Sequence, residues 1–417
     1  MRKLIAFGVA LVAALALTVP GAIGSAEQTG ITAKSIVIGG TFPLTGPVAS
    51  YAPIPVGLKA YFSFINARRG PDGKRGIYGR QIVWKYYDDG YNPANTIQQT
   101  RRLVEQDKVF ATVGQLGTEH NLAIRPYMNQ QKVPQSLVST GASYWGTQYK
   151  EYPWTTGWQP DYIAEGRLYG LHIKANQSGK KIAVLYQNDD YGKDYLYGLR
   201  AALGKTYASN NIVAEVAFEP TAPTIQSQMV RIRQTNAPVF VILATPPFTI
   251  QAYAFGNALG YKPDQIYLNS VSATTAFLSV ALARSSPDYV NGSLSMAYVK
   301  DPSSPRFNND AAMKEYRAIM AKYAPSANAN DGLYMYGVAK AETFVQAMYK
   351  AGKNPTRASY LAALSSMNAP NRFLLAGVVQ KTGANDRFMI SQMQLQRFNG
   401  STRIWVPVGR LIEGRPR

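Results

Sequence analysis

Two short polar segments of the sequence, QLGTEHN and STGASYW, carry the residue types best suited to holding a ligand. Thr118 and Ser143 each supply a hydroxyl, while Gly117 and Gly141 would let a ligand approach backbone N–H groups closely. Hydroxyl and backbone donors of this kind suit a carboxylate. The same residues could instead cap the helices that follow, and their spacing does not choose between the two roles.

The sequence lacks the common motifs for phosphate binding and nucleophilic catalysis. It contains no GxxxxGK[ST] segment, no GxGxxG after the first strand and no GxSxG elbow. There are no cysteines and two histidines, so no Cys/His metal set is available. His120 is expected on the polar rim of a site, and His172 falls in a helical stretch on a surface or packed face. We predict no catalytic residue, no metal site and no cofactor.

Two pairs of adjacent carboxylates, Asp88–Asp89 and Asp189–Asp190, are the remaining candidates for catalysis. A glycosidase needs two carboxylates that face one bond. Neighbouring residues point in different directions, so neither pair makes an acid/base couple by itself. A role in capping the next helix or binding hinge backbone is favoured, and a hydrolase stays as a weaker alternative.

Aromatic residues are abundant, and some fall on the same candidate loops. Among 28 tyrosines, Tyr51, Tyr144 and Tyr191 lie there, together with Trp145. Tyrosine combines a large apolar face with a polar tip. We expect these side chains to contact a ligand.

Strands and helices alternate along the chain in two successive runs. The first begins at IVI (36–38) and ends near Ser139, and the second extends from KIAVLYQ (181–187) to QIYLNS (265–270). Such alternation predicts parallel sheets, in which ligands bind at the carboxyl ends of the strands. The prediction is an α/β protein with two doubly wound domains. After Pro305 the chain reads as helical, then as strand-like FLLAGVVQ, FMISQMQLQRF and TRIWVPV.

Composition limits the setting of the protein. Residues 1–26 read as a cleaved signal peptide, with a basic start, an apolar stretch and Gly24-Ser25-Ala26 before the mature end at Glu27. Without cysteine there is no lipid anchor and no disulfide. We therefore predict a periplasmic protein whose stability comes from its hydrophobic cores. The net charge of +20 becomes +18 once Arg2 and Lys3 are removed. Because the positive charges are spread along the sequence, we do not expect nucleic acid as a partner. A general attraction to anions is expected instead.

Several segments, in this order and spacing, resemble a known family. They are IVIGGTFPLTGPVASYA, INARRG with GRQIVWKYYDDGYNP, ATVGQLGT, KVPQSLVSTGAS and KIAVLYQNDDYGKD. The chain resembles the leucine/isoleucine/valine-type substrate-binding proteins of ABC transporters, which have the type I periplasmic-binding fold. This implies two lobes joined by three crossings that close on a ligand. Lobe 1 would comprise 27–156 and 298–375, and lobe 2 would comprise 157–297 and 376–417.

The resemblance also implies roles for particular residues. Thr118 and the segment 141–143 would hold the α-carboxylate of the ligand, while Tyr51 and Tyr191 would flank its side chain. The positions that match the family's binding residues are Tyr51, Thr118, Gly141, Ala142, Ser143, Tyr191, Pro246 and Ser270.

Two positions depart from the amino-acid binders of this family. Ser270 stands where they place an acid that meets the ammonium of the ligand, and Pro246 stands where they place an aromatic residue. The sequence has no acid between Gln265 and Arg284. A buried ammonium without a charge partner typically costs several kcal/mol. The ligand is therefore predicted to be a carboxylate without an ammonium, either aromatic or branched aliphatic.

The resulting functional hypothesis is an exported, non-enzymatic receptor that delivers this ligand to an ABC permease in the inner membrane. We expect a monomer. The alternatives are a receptor for branched-chain or other amino acids, and a ligand-sensing module for a signalling partner.

Overall fold

The computed structural model describes residues 28–415, so the predicted signal peptide lies outside the described residues. Within this part, the chain forms two α/β lobes, each built on its own sheet. The predicted fold class is confirmed. No helix in the described part combines the length and apolar character needed to cross a membrane.

Lobe 1 contains a four-stranded parallel sheet in the order β2-β1-β3-β4. Its buried face comes from β-branched residues such as Ile36 and Ile38, which are fully buried. The α2 helix begins after a cap at Asn92, whose side chain accepts a hydrogen bond from the N–H of Ala94, and Pro93 stands at its first position. The elements of this part are β1 (Ser35–Phe42), α1 (Pro53–Ala67), β2 (Gln81–Asp88), α2 (Pro93–Arg101), β3 (Ala111–Val113), α3 (Thr118–Gln130), β4 (Gln135–Ser136) and α4 (Tyr144–Thr147).

Lobe 2 begins with a second run of alternating strands and helices. Its five strands are parallel, and all but the edge strand at residues 212–218 are largely buried, as the apolar runs in the sequence predict. The elements are α5 (Tyr162–Asn176), β5 (Ile182–Gln187), α6 (Asp190–Leu203), α7 (Lys205–Asn211), β6 (Ile212–Phe218), α8 (Gln226–Gln234), β7 (Val239–Leu243), α9 (Pro246–Ala258), β8 (Gln265–Leu268), α10 (Thr275–Arg284), α11 (Pro287–Val290) and β9 (Leu294–Ala297).

The chain then returns to lobe 1 as three helices, α12 (Ala311–Tyr323), α13 (Gly332–Ala351) and α14 (Arg357–Ser365). The α13 helix crosses α1 at two glycines. A Cβ atom at Gly57 would lie 2.3 Å from the carbonyl oxygen of Tyr334, and one at Gly337 would lie 2.3 Å from that of Ile54. This close backbone approach holds α13 against the first lobe.

The C-terminal segment adds strands β10 (Asn368–Pro370), β11 (Val379–Lys381), β12 (Gln392–Asn399) and β13 (Ile404–Glu413). The second sheet has the order β13-β12-β9-β8-β7-β5-β6, so the chain crosses between the lobes three times. The lobe boundaries given above stay a prediction. β12 is antiparallel to both β9 and β13, and the short connection between β12 and β13 permits a hairpin and not a parallel crossover.

One predicted strand is largely absent. Within FLLAGVVQ, residues 373–378 form turns and irregular chain with one isolated bridge, from Leu374 to Val299, and β11 begins at Val379. Asn371 ties this loop to α13, since its side chain donates to the carbonyl of Ala339 and accepts from the N–H of Phe373. Gly377 has a φ of 87°, which bends the chain away from an extended path.

Candidate ligand-binding site

A cavity lies between the two lobes and is bordered by the crossing segments. It holds about 1050 Å³ of empty space, including the part that opens to solvent. Four of the predicted binding residues line it: Tyr51, Thr118, Tyr191 and Ser270. A cleft with mixed aromatic and hydroxyl walls suits a small organic ligand.

Six tyrosines form the aromatic part of the wall: Tyr51, Tyr91, Tyr162, Tyr191, Tyr298 and Tyr336. Tyr51 spans the cleft, because its hydroxyl donates to the carbonyl of Val271 in lobe 2 at 3.3 Å. The hydroxyl of Tyr191 accepts a hydrogen bond from the side-chain amide of Asn269 at 2.6 Å. Burial raises the pKa of both phenols well above the ordinary value, so they remain neutral.

Thr118 is the first residue of α3 and faces the cavity together with Leu116 and Gly117. Its hydroxyl lies 2.6 Å from that of Thr140. Gly117 precedes the helix at a φ of 100°, and no side chain caps the helix N-terminus. The N-terminal turn of a helix presents free N–H groups and a partial positive charge. This end of the cleft is therefore suited to a carboxylate.

The segment 141–143 does not line the cavity. A Cβ atom at Gly141 would lie 2.3 Å from the carbonyl oxygen of Pro160, so this glycine permits close packing against the crossing and not against a ligand. Ala142 packs in a small buried cluster with Val138 and Trp145. The family-implied contact of these residues with a ligand stays a prediction that their placement does not support.

Ser143 instead bonds across the cleft to lobe 2. Its backbone N–H donates to Asp194 at 2.7 Å, and its hydroxyl lies 3.4 Å from the same carboxylate. Beside it, the hydroxyl of Tyr144 donates to Asp190 at 3.1 Å, and the N–H of Asp190 donates to Glu119 at 3.1 Å. We call these four hydrogen bonds, which join three residue pairs, the interlobe clasp. Burial raises the pKa of Asp194 to about 6.

The two positions that depart from the family pattern differ in placement. Pro246 begins α9 and does not border the cavity, whereas its neighbour Thr245 does. Ser270 borders the cavity, and its backbone N–H and hydroxyl both donate to Glu165, at 2.7 and 2.6 Å.

Glu165 is a buried carboxylate directly behind Ser270, and the sequence reasoning missed it. It lies on α5, about 100 residues before the segment from Gln265 to Arg284 in which the sequence has no acid. Its two oxygens accept four hydrogen bonds, because the hydroxyls of Tyr169 and Tyr195 donate at 2.7 and 2.9 Å in addition to the two donors of Ser270. Burial raises the pKa of Glu165. The acid is present near the expected place, but protein donors occupy its oxygens and it is not part of the cavity wall.

Charged residues at the cavity also escaped prediction. Asp301 lines it and accepts hydrogen bonds from the hydroxyls of Thr275 and Ser303, at 2.8 and 2.7 Å. Lys300 lines it and is paired with Asp310 at 2.7 Å. These residues lie on the second crossing, where the alternation of strands and helices gives no signal.

The histidines and paired aspartates show structural roles. His120 is buried and packs its ring 4.1 Å from that of Tyr91, so the expected rim position is wrong; burial lowers its pKa to about 4. His172 is partly buried, with Nδ1 2.7 Å from the hydroxyl of Tyr267. Asp89 accepts from the N–H of Tyr91, and Asp189 caps α6.

Comparison with known proteins gives a family match and similar folds. Residues 35–403 match the sequence model of a family described as periplasmic binding protein. A relative from Pseudomonas aeruginosa, named an amino acid binding protein, is 24% identical over 365 residues, which cover 83% of this chain and 86% of that protein.

Two solved structures illustrate the likeness in fold. A branched-chain amino acid ABC transporter protein from Thermus thermophilus, with bound valine, has a TM-score of 0.77 and 16% identity over 91% of this chain and 97% of that one. A solute-binding protein of an ABC transporter from R. palustris, in complex with 4-hydroxybenzoate, has a TM-score of 0.72 and 16% identity over 92% and 98%. The predicted type I periplasmic-binding fold is confirmed.

Proposed function

Because the family match spans most of its length, the chain belongs to the periplasmic binding proteins, and we propose that it is an exported receptor for a small carboxylate. The ligand would occupy the cleft between the lobes and be released unchanged. The family and its structural neighbours bind solutes and are not enzymes.

One observation carries the proposal: the cleft combines an uncapped helix N-terminus with a wall of neutral tyrosines. Thr118 and the first turn of α3 offer donors for a carboxylate at one end. Tyr51 and Tyr191 offer apolar faces for an aromatic or branched aliphatic body. Ser270 supports the absence of an ammonium in the ligand, since the acid behind it already accepts four hydrogen bonds.

The partner would be an ABC permease in the inner membrane, and the receptor would act as a monomer. The R. palustris protein, which holds 4-hydroxybenzoate, and the T. thermophilus protein, which holds valine, share this fold. The fold thus accommodates both an aromatic acid and an amino acid, and the residues of the cleft must decide between them.

An amino-acid ligand is the second candidate, and Asp301 favours it. Its carboxylate lies on the cavity wall, where it could meet an ammonium. However, Asp301 already accepts hydrogen bonds from Thr275 and from both the N–H and the hydroxyl of Ser303. An ammonium would have to share those oxygens.

The test is to identify what the protein carries and then to measure binding. Mass spectrometry of small molecules released from the purified protein should find a monocarboxylate. Calorimetry would follow with the matched set 4-methylpentanoate, 4-methylpentanamide and leucine, and with benzoate and benzamide. Binding of an acid without its amide supports the proposal. If leucine binds more tightly than 4-methylpentanoate, and Asp301→Asn abolishes that preference, the amino-acid receptor is correct instead.

A further inference from the structure

Lys340 is a buried lysine immediately behind the cavity wall. It lies on α13, and its side chain is completely shielded from solvent. Its Nζ donates to the hydroxyl of Ser139 at 2.5 Å and to the hydroxyl of Tyr336 at 2.9 Å. Both Ser139 and Tyr336 line the cavity. The ammonium is therefore separated from the cleft by one layer of side chains.

A glycine and two aromatic rings next to Lys340 allow its side chain to reach the wall of the cleft. Gly114 follows β3 with a φ of 71°, and a Cβ atom there would lie 3.0 Å from the Cδ of Lys340. The stem of the lysine thus passes over a glycine at the carboxyl end of the sheet, where ligands of parallel sheets bind. Trp158 and Tyr336 place their ring centroids 5.1 and 4.4 Å from Nζ, an arrangement that favours a cation.

The positive charge of Lys340 has no negative partner within residues 28–415. Each ion pair found in that part of the chain involves other residues, and two acids of the cleft region, the buried Glu165 and the half-buried Asp301, are bonded elsewhere. A buried ammonium without a counter-charge is costly unless a ligand or proton release resolves it. An ammonium has three donors, and two are used by the hydroxyls.

We propose that Lys340 is the counter-charge for the ligand, so that the cleft selects a molecule with one carboxylate and no ammonium. The carboxylate would lie against the wall formed by Ser139 and Tyr336, next to Thr118 and the start of α3. Lys340 acts through these hydroxyls and is a positioning residue. The inference rests on the proposed receptor function and adds the residue that sets its charge selectivity.

Binding should be coupled to proton uptake. Burial lowers the pKa of Lys340 well below its ordinary value. A nearby anion raises that pKa again, so between the pKa of the free protein and that of the complex, binding is accompanied by proton uptake. Affinity then falls as pH rises through the pKa of the complex.

The side chains that surround Lys340 should not contribute to this proton uptake. They are Tyr336 from its own helix, Trp158 from the first crossing, Ser139 after β4, and Gly114 with Leu58 of α1. The one titratable group among them, Tyr336, has a raised pKa and stays neutral.

The first experiment uses the unaltered protein. 4-Methylpentanoate and benzoate are titrated by calorimetry between pH 6.5 and 9.5, in buffers of low and high ionisation enthalpy. Both probes are fully ionised there, so they contribute no proton. Proton uptake that persists above about pH 7.5, where the Asp194 carboxyl is ionised whether the lobes are open or closed, supports the proposal. Acid binding without uptake at any of these pH values would overturn it, while the receptor function would stand.

The second experiment replaces the charge and keeps the shape. Lys340→Met should lower affinity for the acids about tenfold to a hundredfold, leave the amides within about threefold, and abolish proton uptake. The control Lys314→Met removes an exposed lysine of α12 and should change none of these values. Equal losses for acid and amide, or no loss for the acid, would overturn the role of Lys340. If no acid, amide or amino acid of the panel binds, the proposed function fails as well.

Discussion

The two walls of the cleft each bury a charge, and they treat it differently. On the lobe 2 side, the carboxylate of Glu165 accepts four hydrogen bonds from protein donors. On the lobe 1 side, Lys340 is equally buried, bonds two neutral hydroxyls and has no carboxylate partner in the described chain. The first charge is fully compensated by the protein, and the second is not.

This difference indicates which groups a ligand must bring. A site whose negative charge is already satisfied gains little from an ammonium. A site whose positive charge is unpaired gains from an anion, because the ligand replaces the missing partner. The two walls together favour an acid over the amino acid of the same shape.

Removing the two charges one at a time should give the largest difference, and that difference is in the free energy of unfolding. Glu165→Ala would leave the hydroxyl of Tyr195 and the two donors of Ser270 without their acceptor, whereas Tyr169 keeps the carbonyl of Leu268, and we expect a loss of about 3–5 kcal/mol in the free energy of unfolding. Lys340→Met removes a charge that lacks a partner and should cost less than about 1 kcal/mol, or stabilise the protein. Denaturant unfolding of both variants measures this, and equal losses would show that the two charges are not treated differently.

The next largest difference is expected between the hydroxyls of the two polar loops, since only that of Thr118 should affect ligand affinity. Thr118→Val removes a donor at the carboxylate end, so affinity for 4-methylpentanoate should fall about tenfold to a hundredfold, corresponding to roughly 1.5–3 kcal/mol for a bond to a charged group. Ser143→Ala is the matched control, because Ser143 bonds to Asp194 and does not line the cavity. It should change affinity by less than about threefold by calorimetry. A larger effect of Ser143→Ala would restore the family-implied role of that loop.

The two α/β lobes were predictable from the alternation of apolar strands and helices. The contacts that define the site were not, because they join distant parts of the chain. Ser270 and Glu165 are separated by 105 residues, Ser139 and Lys340 by 201. The lysine has one local signal: it falls in YGVAKAETFV, where the positions three and four residues away are apolar or small.

The interlobe clasp should give the smallest effect, a fall in ligand affinity as the pH rises. Burial raises the pKa of Asp194 to about 6, above the ordinary 3.8, so closing the lobes favours the protonated form. The contribution of Asp194 to closure is therefore full below the ordinary pKa and is lost as pH rises through about 6. Affinity between pH 5 and 7.5 should show this dependence, by less than tenfold.

Asp194→Asn should remove that pH dependence and keep the bond from Ser143, since the amide oxygen still accepts from its N–H. Asp194→Ala loses the bond and serves as the comparison. An unchanged pH profile in Asp194→Asn would assign the effect to other acids of the cleft region.

The most direct test of the account is a calorimetric competition between 4-methylpentanoate and leucine, which differ by one ammonium. Since Lys340 lacks a counter-charge and Glu165 needs none, the account predicts that the protein binds 4-methylpentanoate at least about tenfold more tightly, or about 1.4 kcal/mol. Tighter binding of leucine would contradict it and would indicate an amino-acid receptor whose ammonium site is Asp301.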